Sequence, residues 1–219
     1  MIMAGFIRKT AAVFAALLIT VSAAACDKKK EEEHDHDHNM AGMNAPDGDY
    51  SSAAETVLRP DNSDVPITIT YCKEYASGEE AAKVAEFYYA LSEKNTEYLE
   101  KAVYPDVLSY KLDGSSAQEY LNVEYDYIKD NLTESDFKFT AVTIDDDLTS
   151  DDICSAYDSL LAKAAPDAKP ESRKVFRSNC LYEKGDGGQL SLSARLREKG
   201  MEDIQVAVYT IDGKPYIIF

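Results

Sequence analysis

Histidine is missing from the part of this chain that has the makings of a fold. The three histidines, His34, His36 and His38, fall within five consecutive positions, and none occurs in the 155 residues from Val65 to Phe219. That absence removes Ser-His-Asp and Cys-His arrangements from the folded region, because each needs an imidazole to accept the nucleophile's proton. Tryptophan is absent altogether, and basic charge is scarce: 23 Lys and Arg face 40 Asp and Glu, a formal net charge of −17. Residues 65–219 alone hold 17 basic and 29 acidic groups, a net of −12. A surplus of this sign repels nucleic acid and anionic headgroups, so no nucleic-acid partner is expected. Cations, cationic wall components and basic proteins remain compatible with it. No apolar run reaches the ~20 residues that a membrane-spanning helix needs.

The first 26 residues hold a shorter apolar run. Arg8 and Lys9 precede "TAAVFAALLITVSAAA" and then Cys26, the layout of a secretion signal with small residues at its end. "SAAAC" followed by "DKKKEEE" resembles the lipobox of bacterial lipoproteins, although Ala23 stands where that family prefers leucine. The resemblance implies cleavage after residue 25 and attachment of acyl chains to Cys26, which would hold the protein at the outer face of a cell membrane. Ala23 and Ala25 also satisfy the A-x-A rule of ordinary secretion, which would release a soluble protein.

Residues 26–64 have no hydrophobic period and are rich in charge, Pro, Gly, Asn and Ser. A segment of this kind buries too little apolar surface to offset its ordering entropy, and reads as a disordered tether. Within it lies "EHDHDHNMAGM". In an extended chain alternate side chains share a side, so His34, His36 and His38 point one way and Asp35 and Asp37 the other. Imidazoles with carboxylates suit Zn²⁺ or Cu²⁺, and the thioethers of Met40 and Met43 add softness for Cu(I). The tract has no second shell to orient its ligands, so an inert solvated linker is the competing reading.

Beyond Val65 the chain is long enough for one domain. "ITITYCKEY" alternates as a strand. Ser77 with Glu80 and Ser116 with Glu119 form capping boxes that open helices, and Asn95 caps a shorter helix between them. "FKFTAVTI" is a strand, and "TSDDICSAYDSLLAKA" is a helix stopped by Pro166. The strands "RKVFRSNCLYE", "QLSLSARLRE" and "DIQVAVYTI" follow. The middle one aligns Leu190, Leu192, Ala194 and Leu196 on one face, and an Asp212-Gly213 turn returns "PYIIF". This order predicts an α+β domain, with three N-terminal helices gathered on one face of a mainly antiparallel curved sheet and one extra helix inserted between strands. "AAKVAEFYYALSEKNTEYLEKAVYPD", a later helix and the closing "VAVYTIDGKPYIIF" resemble an NTF2-like (cystatin-like α+β) cone.

Among candidate sites, Asp106 with Tyr104 and Tyr110 is a carboxylate–tyrosine set of the kind some NTF2-like enzymes use. "YPDVLSY" reads equally as a Pro-containing turn. The run Asp145–Asp147, Asp151 and Asp152 lacks the alternation, central Gly and closing Glu of a calcium loop, and reads as a turn and helix start. "KGDGG" lies between strands and is a hairpin turn rather than a phosphate cradle. The 15 tyrosines, many of them in the helices, suit either a core margin or an aromatic groove. With Cys26 assigned to lipid, Cys72, Cys154 and Cys180 remain. Cys154 with Cys180 is the preferred disulfide, since a helix and its following strand often pack together; three buried thiols are the alternative. The expectation is a lipid-anchored extracytoplasmic protein with a non-enzymatic domain that binds a protein or a small ligand, without a cofactor. Zn or Cu capture by the tether is the second reading, and an NTF2-like enzyme the third.

Overall fold

The computed structural model describes residues 55–185 and 187–219; the lipid-attachment candidate Cys26 and the metal candidates His34, His36, His38, Met40 and Met43 lie outside them. The described part is α+β. Seven strands form one open mixed sheet: β1 (Glu55–Leu58), β2 (Thr68–Cys72), β3 (Phe137–Asp147), β4 (Ser172–Lys184), β5 (Gln189–Ser191), β6 (Ile204–Ile211) and β7 (Lys214–Ile218). The order is β1-β2-β3-β4-β6-β7, with β5 also on β4. Among the described strand pairs β2 and β3 run parallel and the others antiparallel. β1 lies inside the segment read as tether, so ordered structure begins before Val65. Its four residues take their conformation from pairing with β2, where Glu55 faces Cys72.

Six helices accompany the sheet: α1 (Gly78–Glu93), α2 (Thr96–Ala102), α3 (Pro105–Leu112), α4 (Ala117–Ile128), α5 (Asp151–Ala164) and α6 (Leu192–Glu198). Local chemistry sets their starts. Ser77 Oγ accepts from the Glu80 amide at 3.2 Å while Glu80 Oε2 accepts from the Ser77 amide at 2.7 Å. Ser116 and Glu119 repeat this capping box at α4, and Asn95 and Ser150 cap α2 and α5. Thr149, beside that last cap, accepts from the Val175 amide and joins the acidic turn to β4. Two elements differ from the sequence reading. "YPDVLSY" is helical, because Pro105 at the first position needs no amide partner and its fixed φ suits a helix start. "QLSLSARLRE" is a three-residue strand followed by α6: Leu192 and Leu196, four apart, are buried, whereas Leu190 is 43% exposed.

Register shows that helices cover both faces of the sheet, which corrects the one-sided expectation. Lys174 and Ser178 of β4 reach Glu80 and Tyr88 of α1. Arg173, of opposite parity, and its register partner Tyr209 both bond Asp158 of α5. Residues of alternate parity point to opposite faces, so α1 and α5 sandwich this part of the sheet. Both faces of β6 are accordingly apolar, and Val206, Ala207, Val208 and Tyr209 are all buried. The same geometry separates Cys154 from Cys180. Cys180 shares the parity of Ser178 and meets Tyr88, whereas Cys154 sits on α5 across the sheet. Cys72, Cys154 and Cys180 are all buried free thiols, so the expected disulfide does not form.

Candidate functional site

The last turn of the chain closes one wall of a surface cleft. Asp212 and Gly213 both take positive φ, 51° and 72°, as a tight primed hairpin turn requires, and this brings Lys214 and Tyr216 of β7 beside the outer side of α1. From α1 come Glu79, Lys83 and Glu86, which recur at helical spacing on one side. Lys101 enters from the end of α2. Together these six side chains line a cleft of about 320 Å³, within the range of small-molecule sites.

Glu86 organises the cleft. It is 3% exposed, and its two oxygens each hold a lysine: Lys83 at 2.9 Å and Lys101 at 2.7 Å. Lys83 also donates to the Lys101 backbone carbonyl at 2.8 Å, which ties α1 to α2. The hydrogen bond that Lys101 donates to Glu86 holds its ammonium above the usual lysine range. Lys214 makes no ion pair among the described residues and lines the same space. Three lysines against Glu79 and Glu86 leave a local positive excess on a strongly acidic protein. Tyr216 adds an aromatic wall, supported edge-on by Tyr104 at 5.4 Å between ring centroids. Chemically, the cleft can take an anion at the lysines and an apolar or planar group against Tyr216.

The sequence-derived candidates fall elsewhere. Asp106 is exposed in the first turn of α3, Tyr110 is 49% exposed on the same helix, and Tyr104 is half-buried against Tyr216. Burial, with a smaller contribution from the Asp106 charge, raises the Tyr104 pKa. Asp106 and Tyr110 do not line the cleft, so the three groups are not brought together around a cavity. Most helix tyrosines serve the core or its margin: Tyr88 and Tyr120 are buried, and Tyr89 packs edge-on against Tyr98 at 4.9 Å. The acidic turn behaves as a strand end and helix cap: Asp147 accepts from the Thr149 amide, and Asp151 bonds Arg173. Among the described residues no group of three or more His, Cys, Asp or Glu side chains is placed to hold a metal ion. No described helix is long and apolar enough to cross a membrane.

The cleft lysines escaped sequence reasoning because they come from three distant segments. The only local trace was Lys83 with Glu86 at a spacing of three, which also occurs on any solvated helix face. Comparison of the chain with protein-family models, with curated proteins and with solved structures finds no match.

Proposed function

We propose that this chain is a bacterial lipoprotein, anchored through Cys26 on the extracytoplasmic face of the cell membrane, whose domain is a binding module of NTF2-like build. Its ligand is a small anion, held by Lys83, Lys101 and Lys214 and flanked by Tyr216. The observation that supports this reading is Glu86, a buried carboxylate that fixes two lysines at the mouth of a cleft on an otherwise acidic protein. Ammonium groups fixed before a ligand arrives lower the ordering cost of binding an anion. The groups present bind and orient; none of those lining the cleft is a histidine or a cysteine. Export is supported by the Arg8–Cys26 sequence, and the acidic segment after it suits a leash that keeps the domain clear of anionic headgroups.

Two measurements test the proposal. Mass spectrometry of the N-terminal peptide should find diacylglycerol on Cys26, and an unmodified chain beginning at any other residue would remove the anchor. A thermal-shift screen of small carboxylates and phosphate monoesters should raise Tm for some members. Lys214→Glu should abolish that shift; a shift that survives it places the ligand elsewhere. A second reading, metal capture by His34, His36, His38, Met40 and Met43 for a transporter or sensor, draws on the alternating spacing of that tract.

A further inference from the structure

We propose that Lys111, Tyr120 and Glu124 form a proton-linked site for a small carboxylate anion, held between α3 and α4 beside the Phe219 ring. This site is separate from the cleft: Lys214 and Phe219 are five residues apart, about 17 Å along an extended strand.

Glu124 and Tyr120 are 2% and 7% exposed, yet Glu124 Oε2 and the Tyr120 hydroxyl are both buried without a hydrogen-bond partner. Buried polar groups in folded proteins are almost always paired, so two orphans one helical turn apart mark a place built for something else. The third member comes from α3. Lys111 acts electrostatically on Glu124, but the two close no ion pair; among the described residues its ammonium makes no hydrogen bond or ion pair and stands 5.5 Å from the centroid of the Phe219 ring. The Tyr120 ring stands 5.7 Å from that same ring. Lys111 and the Tyr120 ring thus meet at one phenyl group, and the Glu124 carboxyl acts on both through its charge without a bond to either.

Their chemistry selects the ligand. Lys111 repels an amine or a metal cation. An ammonium, a phenol and a protonated carboxyl are all donors, and a carboxylate accepts from three donors at once. Phe219 offers an apolar surface for a methyl or short alkyl group. The anion requires Glu124 in its neutral form, because the ionised form repels it. Burial, opposed by Lys111, already raises the Glu124 pKa to about 7. Binding therefore takes one proton from solution onto Glu124 when it was ionised beforehand. Of the other charged groups near α4, Lys94 at the end of α1 lies 3.9 Å over the Tyr125 ring, Lys101 of α2 is held by Glu86, Lys129 pairs with Asp136, Glu119 serves the Ser116 cap, and Asp126 is exposed.

Isothermal titration of the full chain with sodium acetate, at pH 6 and pH 8.5 and in buffers of different ionisation enthalpy, tests the site. Affinity should fall on the order of tenfold or more between the two pH values, with proton uptake visible in the buffer dependence. Lys111→Met should abolish binding and Tyr120→Phe should weaken it. Glu124→Gln keeps a donor, so it should bind with an affinity independent of pH and without proton uptake. Lys214→Glu should change none of this, which separates failure here from failure of the cleft. Absence of binding at both pH values, or equal affinities at both, overturns the proposal. So does binding that survives Lys111→Met. If Lys111→Met does not fold by circular dichroism, the comparison of wild type with Glu124→Gln still decides.

Discussion

The Tyr88 hydroxyl stands 2.7 Å from the Ser178 hydroxyl, a buried bond that joins the middle of α1 to β4 across 90 positions of sequence. Both groups are buried, and the Tyr88 ring also packs edge-on against Phe139. Tyr88→Phe keeps that ring and removes one partner of the pair, leaving the Ser178 hydroxyl buried alone. Urea unfolding should show a loss of about 1–3 kcal/mol, and the double change with Ser178→Ala should cost less than the two singles together. Additive losses would mean that the bond does not couple α1 to the sheet.

A second tie between the same elements carries charge. Glu80 accepts from the Ser77 amide as part of the α1 capping box and from Lys174 Nζ at 2.9 Å. It is a buried carboxylate. Lys174→Met should therefore destabilise the fold by about 1–3 kcal/mol, because it strips a desolvated carboxylate of its cation. Glu80→Gln should cost less, since the amide oxygen can still accept the cap bond. Equal stability of Lys174→Met and wild type in urea would contradict the role given to this pair.

Those two contacts also explain which parts of the fold were legible in sequence. The helix starts at Ser77, Asn95, Ser116 and Ser150 are local events within four residues, so their residue types announce them. Element α6 was hidden because Leu190, Leu192, Ala194 and Leu196 satisfy a strand period while Leu192 and Leu196 also satisfy a helical one. The Ser191 cap, which accepts from the Ala194 amide, decides for the helix. The sidedness of the sheet was not legible, since it depends on which parity of β4 meets α1 and which meets α5. The same dependence hid the cleft and the Lys111–Glu124 grouping, whose members approach only after the sheet has formed.

The three described cysteines should behave as inert thiols. Each is buried, and burial pushes the Cys180 thiol well above its ordinary pKa, which suppresses the nucleophilic thiolate. In the native protein a thiol reagent such as DTNB should label none of Cys72, Cys154 and Cys180 within minutes, and all three after denaturation. A reductant should leave Tm unchanged. A drop in Tm on reduction would reveal a disulfide among cysteines that are free thiols in this structure.

The His-rich tract makes a prediction that is independent of the domain. Removing residues 33–43 should abolish any binding of Zn²⁺ or Cu²⁺ by the full chain, measured by competition with a chromogenic chelator. The wild-type tract should bind with modest affinity, because it must be ordered on the metal. Binding that survives the deletion would move the metal to the domain, where the described residues offer no cluster for it.

Glu124 gives stability a dependence on pH whose sign follows from its burial. Its folded pKa is raised from 4.5 to about 7, so between these values the native state holds a proton that the unfolded state has released. Stability from this group is therefore fully present below about pH 4.5, falls as pH rises through the window, and levels off above pH 7. The whole change amounts to about 3 kcal/mol. Burial also raises the Asp145 pKa and adds a slope of the same sign, so the informative quantity is the difference from Glu124→Gln. That variant has no proton to lose, and urea unfolding between pH 4.5 and pH 8 should show its curve flatter than the wild type by this amount. Lys111→Met should steepen the loss, since it removes the ammonium that opposes the upward shift. Parallel curves for wild type and Glu124→Gln would show that Glu124 titrates as an ordinary exposed carboxylate, and would also remove the proton linkage assigned to the site it shares with Lys111 and Tyr120.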